Sequence, residues 1–197
     1  MKEITAYEMS FTGTVNNKSD ISCVPFQEKY WNEYMKIYNE CFSEMREALV
    51  IEPINFYSDY SQMKDKIANT FLYLRNGAII GAVSCYGNEI DDLIVNKLFQ
   101  GQGLGEKLLL WGLNHIKEQG YDEIILHVAE WNQNAVRLYL KNGFRIAKKK
   151  EFDKFRRIDM VCLSDKYSTS HFVSWQFCRC INMIFLGRRN TDWTRKK

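Results

Sequence analysis

No apolar run in this chain reaches the roughly 18 residues that a membrane-spanning helix needs, which argues against a helical span. Excess charge of one sign is missing as well. The formal net charge is +3 over 197 residues, too little to argue for a nucleic-acid partner. Residues 1–10 lack the apolar core of a secretory signal. Six cysteines are present, but none are spaced as Cys-x-x-Cys, so the usual zinc pairing is absent and no metal is expected. Together these absences suggest a protein of the reducing cytoplasm whose cysteines are mostly buried thiols. The length suits one domain, read as residues 1–163, with a tail at 164–197. A chain of this size buries a stable core without covalent staples.

What is present is a succession of strand-like and helix-like segments. Residues 1–19 read as a polar N-terminal extension with a weak β pattern over 4–15, and 16–20 as a loop. Residues 21–24 form a short strand candidate. After Pro25, Tyr30, Trp31, Tyr34, Ile37, Tyr38, Cys41 and Phe42 recur at three- and four-residue steps, the mark of an amphipathic helix. Beyond Pro53 a second helix is expected over about 57–69. Strands follow at 71–74, 78–86 and 89–95. They are separated by Asn76-Gly77, where both residues tolerate positive φ, and by Gly87-Asn88. These three make an antiparallel meander. A long helix ends at Gly120, a strand covers 123–128, and a short helix covers 134–141 before Asn142-Gly143. Residues 144–152 and 156–163 look like a closing antiparallel pair. The expected architecture is α+β: a mixed, mostly antiparallel sheet with helices on both faces. The strands on either side of the long helix should be parallel neighbours.

The junction before that long helix carries the chemistry. An apolar strand, Ile90-Asp91-Asp92-Leu93-Ile94-Val95, leads to Gln100-Gly101-Gln102-Gly103-Leu104-Gly105. Apolar residues then repeat at Leu104, Leu108, Leu109, Leu113 and Ile116, which is helical spacing. The first N–H groups of a helix have no internal partner, and the helix dipole favours negative charge there. Glycines let those groups approach a phosphate. Two nucleotide motifs fail at this turn. Gly105-Glu106-Lys107-Leu108 lacks the spacing and hydroxyl of a P-loop, and Gly101-x-Gly103 is followed three residues later by Glu106 instead of a Rossmann glycine.

The turn resembles the acyl-CoA signature of the GCN5-related N-acetyltransferases, Gln/Arg-x-x-Gly-x-Gly/Ala, with Gln100, Gly103 and Gly105 in its fixed places. The run from Asn132 to Phe144 is similar to that family's Asn-x-x-Ala…Leu-Tyr-x-x-x-Gly-Phe pattern, with Asn132, Ala135, Leu138, Tyr139, Gly143 and Phe144 in register. The resemblance covers about residues 20–163. It implies that the two parallel strands splay and that pantetheine lies in the gap. Backbone groups of Leu93, Ile94 and Val95 would then meet pantetheine. The diphosphate of acetyl-CoA, the implied co-substrate, would rest on Gln100, Gly101, Gln102, Gly103, Leu104, Gly105, Glu106 and Lys107.

The resemblance also implies roles in acetyl transfer to an amine. Such an amine, with a pKa of about 10, must lose a proton first. Tyr139 would protonate the leaving thiolate; the plain alternative is a core tyrosine. Asp91 would take the amine proton; the plain alternative is a structural salt bridge. Strand alternation puts Asp91 on the face of Leu93 and Asp92 opposite. Lys107 would add positive charge, although an exposed helix lysine is the default. Asn132 and Ala135 would meet the pantetheine arm, and Asn132 is also a helix cap. His127 reads as a satisfied strand residue and His115 as a helix residue. Trp31, Tyr34, Phe56, Tyr57 and Tyr60 could wall an acceptor pocket.

The tail is apolar with basic flanks. It could pack on the domain or a homodimer partner, or lie on a membrane surface; His171, Cys178 and Cys180 make only a weak metal set. The reading is a cytoplasmic N-acetyltransferase acting directly on a primary amine of a small molecule or peptide. A non-catalytic acyl-CoA-binding regulatory module is the alternative.

Overall fold

A computed structural model of the chain describes residues 4–15 and 17–152. Seven strands and three α-helices alternate along it: β1 (Ile4–Phe11), β2 (Cys23–Pro25), α1 (Trp31–Leu49), β3 (Thr70–Arg75), β4 (Ala78–Tyr86), β5 (Glu89–Val95), α2 (Leu104–Glu118), β6 (Ile124–Ala129), α3 (Gln133–Lys141) and β7 (Arg145–Phe152). The strands form one sheet in the order β2-β3-β4-β5-β6-β1-β7. Every neighbouring pair is antiparallel except β5 and β6. The parallel pair is the one joined through α2, because a helical crossover returns the chain in the same direction. The α+β reading therefore holds.

Each face of the sheet is covered by a helix. On one side Leu108, Leu109, Leu113 and Ile116 of α2 pack with Val83, Ile90, Leu126 and Phe11. On the other, Tyr34, Ile37 and Tyr38 of α1 pack on Leu72, Ile79, Ala82 and Ile94. At Gly81 the sheet leaves no room for a side chain under α2. A Cβ there would lie 2.6 Å from the Ile94 carbonyl oxygen and 2.6 Å from a Leu108 methyl. At the Asn76-Gly77 hairpin both residues have positive φ, +52° and +82°, as that turn requires.

Two stretches depart from the sequence reading. The helix expected over 57–69 is replaced by two short 3-10 turns, Tyr60–Met63 and Ile67–Asn69. Asp59 closes the first with a capping box to Gln62. The apolar residues Tyr57, Tyr60 and Met63 recur every three positions, which suits three residues per turn. The second departure lies at the N-terminus. Residues 1–19 read as an extension, yet residues 4–11 form β1, seated between β6 and β7. The partner of β7 among the described residues is β1; the strand expected at 156–163, and the whole tail at 164–197, lie outside the described residues.

Charge as well as pairing fastens β1 in place. Glu8 accepts from Lys148 at 2.7 Å and Lys150 at 3.1 Å, both on β7. His127 of β6 stands 3.4 Å from Glu8 and 3.0 Å from Glu89 of β5, so one imidazole links three strands. Partial burial would raise the Glu8 carboxyl, but the hydrogen bonds from Lys148 and Lys150 prevail and lower it from 4.5 to about 2. The folded protein thus holds this proton less tightly than the unfolded chain. The resulting stabilisation is complete above pH 4.5 and is lost as the pH falls toward 2. Chemical denaturation at a series of pH values should show stability declining through that window. Glu8→Gln should flatten this part of the curve, and equal slopes for the two proteins would refute the assignment.

Candidate functional site

The site begins where two strands part. The parallel ladder of β5 and β6 holds only at Glu89↔Ile125 and Ile90↔Leu126. Beyond that point residues 91–95 and 127–129 diverge, and the edges facing the gap have no partner strand. Such N–H and C=O groups call for a polar ligand backbone or water. The expected splay is therefore present. At its far end the Val95 carbonyl accepts from the Gln100 side chain at 2.9 Å and from Cys41 Sγ at 3.3 Å. Burial raises the Cys41 thiol to about 11, so the sulfur keeps its proton at neutral pH.

The turn after β5 exposes a row of backbone donors. Gly101 and Gly103 have φ of +77° and +75°, with nothing within 4 Å of where a Cβ would stand. Glycine is needed here for backbone conformation and not for room. Gly105 differs: its Cβ would sit 3.5 Å from Leu138 and 3.9 Å from Val95, ordinary contacts that alanine could make. The Gly103 carbonyl takes the N–H groups of Glu106 and Lys107. The N–H groups of residues 101–105 find no acceptor among the described residues. They lie at the positive end of a 15-residue helix, a setting that suits a diphosphate. Leu104 is buried against the core, while Gln100 and Gln102 are exposed. The side chains of the first turn are occupied: Lys107 Nζ pairs with Asp20 at 2.5 Å and Glu106 with Lys141 at 2.9 Å.

Across the gap stands α3. Asn132 caps it, accepting from the Ala135 N–H at 3.1 Å. Tyr139 is 8% exposed and its ring lies 5.8 Å from Phe144. Burial, and secondarily the Asp92 carboxylate, push its phenol up to about 12. It therefore keeps its proton at neutral pH and can donate it.

The two aspartates lie differently from the expected alternation. Val83 pairs with Leu93 and Cys85 with Ile90, so Asp91 and Asp92 together oppose Ser84 alone. This is a β-bulge, which turns adjacent side chains toward one face. Leu93 packs on the α2 side, whereas both carboxylates reach Lys66 on the α1 side. Lys66 Nζ lies 3.2 Å from Asp92 and 3.9 Å from Asp91. Burial favours loss of the Lys66 proton, but Asp92 and Asp91 reverse the effect and raise its pKa well above the ordinary value. Trp31, Tyr34, Phe56, Tyr57 and Tyr60, the proposed pocket wall, do gather here: Trp31 is 5.4 Å from Tyr57 and 5.6 Å from Tyr60 by ring centroids, with Tyr34 and Phe56 buried beside Tyr57. Sequence reasoning missed Lys66. The available signal was the Asp91-Asp92 pair inside an apolar strand, which demands a buried cation.

The family model of the GNAT acetyltransferases matches residues 31–144, more than half of the chain. The chain belongs to this acetyltransferase family. A mycothiol acetyltransferase from Thermobifida fusca is 37% identical over 73 residues, 37% of this chain and 20% of that protein. An aminoalkylphosphonate N-acetyltransferase from Salmonella typhimurium is 27% identical over 116 residues, 50% of this chain and 75% of that protein. A GNAT acetyltransferase from Colwellia psychrerythraea shares the fold, with a TM-score of 0.59 over 75% of this chain and 54% of that one, at 16% identity. This GNAT chain thus spans a minor part of the mycothiol enzyme.

Removing one partner of a buried ion pair strands the other charge. Lys66→Met should cost about 3–5 kcal/mol in urea denaturation. Lys97→Met, which breaks an exposed pair with Glu44, should cost at most about 1 kcal/mol. Equal losses would show that the Lys66 cluster is not stabilised by its charges.

Proposed function

We propose that this GNAT chain moves an acetyl group from acetyl-CoA directly to a primary amine of a small molecule or peptide. The supporting observation is the continuity of the β5–β6 gap with the unpaired N–H row at the start of α2. Residues 101–105 would hold the diphosphate through backbone N–H groups, with Gln100, Glu106 and Lys107 framing the turn. Leu93, Ile94 and Val95 would offer main-chain groups to the pantetheine arm, and Asn132 and Ala135 would bound its far side. The bound thioester supplies an activated acetyl group.

The chain's own work is to orient the donor, take one proton and give one. Asp91, whose side chain is 12% exposed at the rim of the buried cluster, would accept the amine proton, through water or directly. Tyr139 Oη, protonated at neutral pH, would return a proton to the departing sulfur. The raised Cys41 thiol argues against a covalent acyl-enzyme, because the nucleophile would have to be a thiolate. Relatives named mycothiol acetyltransferase and aminoalkylphosphonate N-acetyltransferase support a small-molecule acceptor. We place the reaction in the cytoplasm.

A thiol-release assay with acetyl-CoA and an amine library tests this reading. Wild-type protein should release thiol with at least one amine. Tyr139→Phe should lower turnover about 10²-fold or more, with acetyl-CoA affinity unchanged by calorimetry. Uptake of acetyl-CoA with no release from any amine would favour a non-catalytic binding module.

A further inference from the structure

Lys66 is fastened to the bulge in β5 by both of its ends. Its backbone carbonyl accepts from the Asn69 N–H at 3.0 Å and from the Thr70 hydroxyl at 3.0 Å. The Thr70 hydroxyl also stands 3.0 Å from Ser84 Oγ. Its own proton is spent on Lys66, so Ser84 donates to it. Thr70 and Ser84 are both buried, and Ser84 is the β4 residue opposite the bulge. The other end of Lys66 reaches the bulge itself: Nζ lies 3.2 Å from Asp92 and 3.9 Å from Asp91. The backbone and the ammonium of one lysine are thus fixed against the same irregularity in the sheet.

Two carboxylates on adjacent residues repel each other where water is scarce, and without a cation one of them holds a proton. A base must be ionised before it can take a proton. The Lys66 ammonium relieves that repulsion, and its unequal distances divide the work. The closer contact goes to Asp92, whose side chain is wholly buried. The looser one goes to Asp91, whose side chain keeps 12% exposure. A carboxylate locked onto an ammonium is a poor base, so the looser contact is the useful one. The other groups around the pair leave this balance to Lys66. The phenols of Tyr34, Tyr57 and Tyr86 are raised, first by burial, and stay neutral. Arg46 of α1 lies with its guanidinium 5.1 Å from the Phe56 ring. Glu89 of β5 is engaged by His127 of β6 at 3.0 Å.

Resting on the acetyltransferase reading above, we infer that Lys66 is a positioning residue for the proposed base: it keeps the Asp91 carboxylate ionised beside Asp92 and holds it in place. Lys66 contacts no reacting atom and acts through Asp91. Asp92 serves as the counter-ion that stops the ammonium from closing on Asp91.

The pH profile of kcat/KM in the thiol-release assay tests this on the full chain, at a temperature where each variant is folded by circular dichroism. Lys66→Met should move the acid limb to higher pH by about one unit or more. Asp92→Asn should move it to lower pH, because the ammonium then serves Asp91 alone. Lys66→Arg keeps the charge and should leave the limb close to that of wild type. Where Lys66→Met does not fold, the direction in Asp92→Asn decides. A limb that stays put, or moves the other way, would overturn the inference while leaving the transferase reading intact. Should no amine be acetylated, the transferase reading falls and Asp91 is titrated directly. The NMR signal of its carboxyl carbon, assigned with Asp91→Asn, must then titrate at higher pH in Lys66→Met and at lower pH in Asp92→Asn. An unmoved midpoint would overturn the inference.

Discussion

The divergence of β5 from β6 is the constraint on which this structure depends. A parallel pair joined through a helix can pair along its whole length, and here it pairs at two positions before opening. Strand edges in the gap and five successive N–H groups at the helix entrance find no partner among the described residues. Polar backbone groups left open in this way call for a polar ligand or water. The surrounding features keep the gap open. Gly81 lets α2 press close to the sheet at Leu108, Gln100 and Cys41 secure the Val95 carbonyl, and Asn132 fixes the start of α3 on the opposite wall.

The bulge at Asp91-Asp92 is the second local departure from regular structure, and it shares a strand with the first. It places two carboxylates on one face, where both face the Lys66 ammonium. Charge buried in this way is expensive, and its nearest compensation is a single ammonium. The aromatic residues of α1 and the 57–63 segment exclude water from this cluster and strengthen every electrostatic interaction in it.

Most of the frame was legible in the sequence because its signals are local. The apolar period of α2, the Asn76-Gly77 hairpin and the glycines at 101 and 103 follow from spacing and from backbone conformations that few other residues adopt. The unread features are non-local. Nothing in residues 4–11 says that they enter the sheet between β6 and β7, since that place is set by partners more than a hundred residues away. Lys66 went unread inside the helix expected over 57–69, because its partners lie on β5. The bulge reversed the expected side of Asp91, since period-two alternation fails wherever one strand carries an extra residue. At the motif residues, Asn132 accepts from the Ala135 N–H, the helix cap that its position suggested.

The central claim is that the open edge of β5 and the bare N–H row before α2 form one continuous cradle for coenzyme A. Backbone hydrogen–deuterium exchange with and without saturating acetyl-CoA tests it most directly. The expected result is slower exchange at residues 91–95 and 101–105 together, with β7 unaffected. Unchanged exchange at both segments, or protection confined to a different part of the chain, would contradict it.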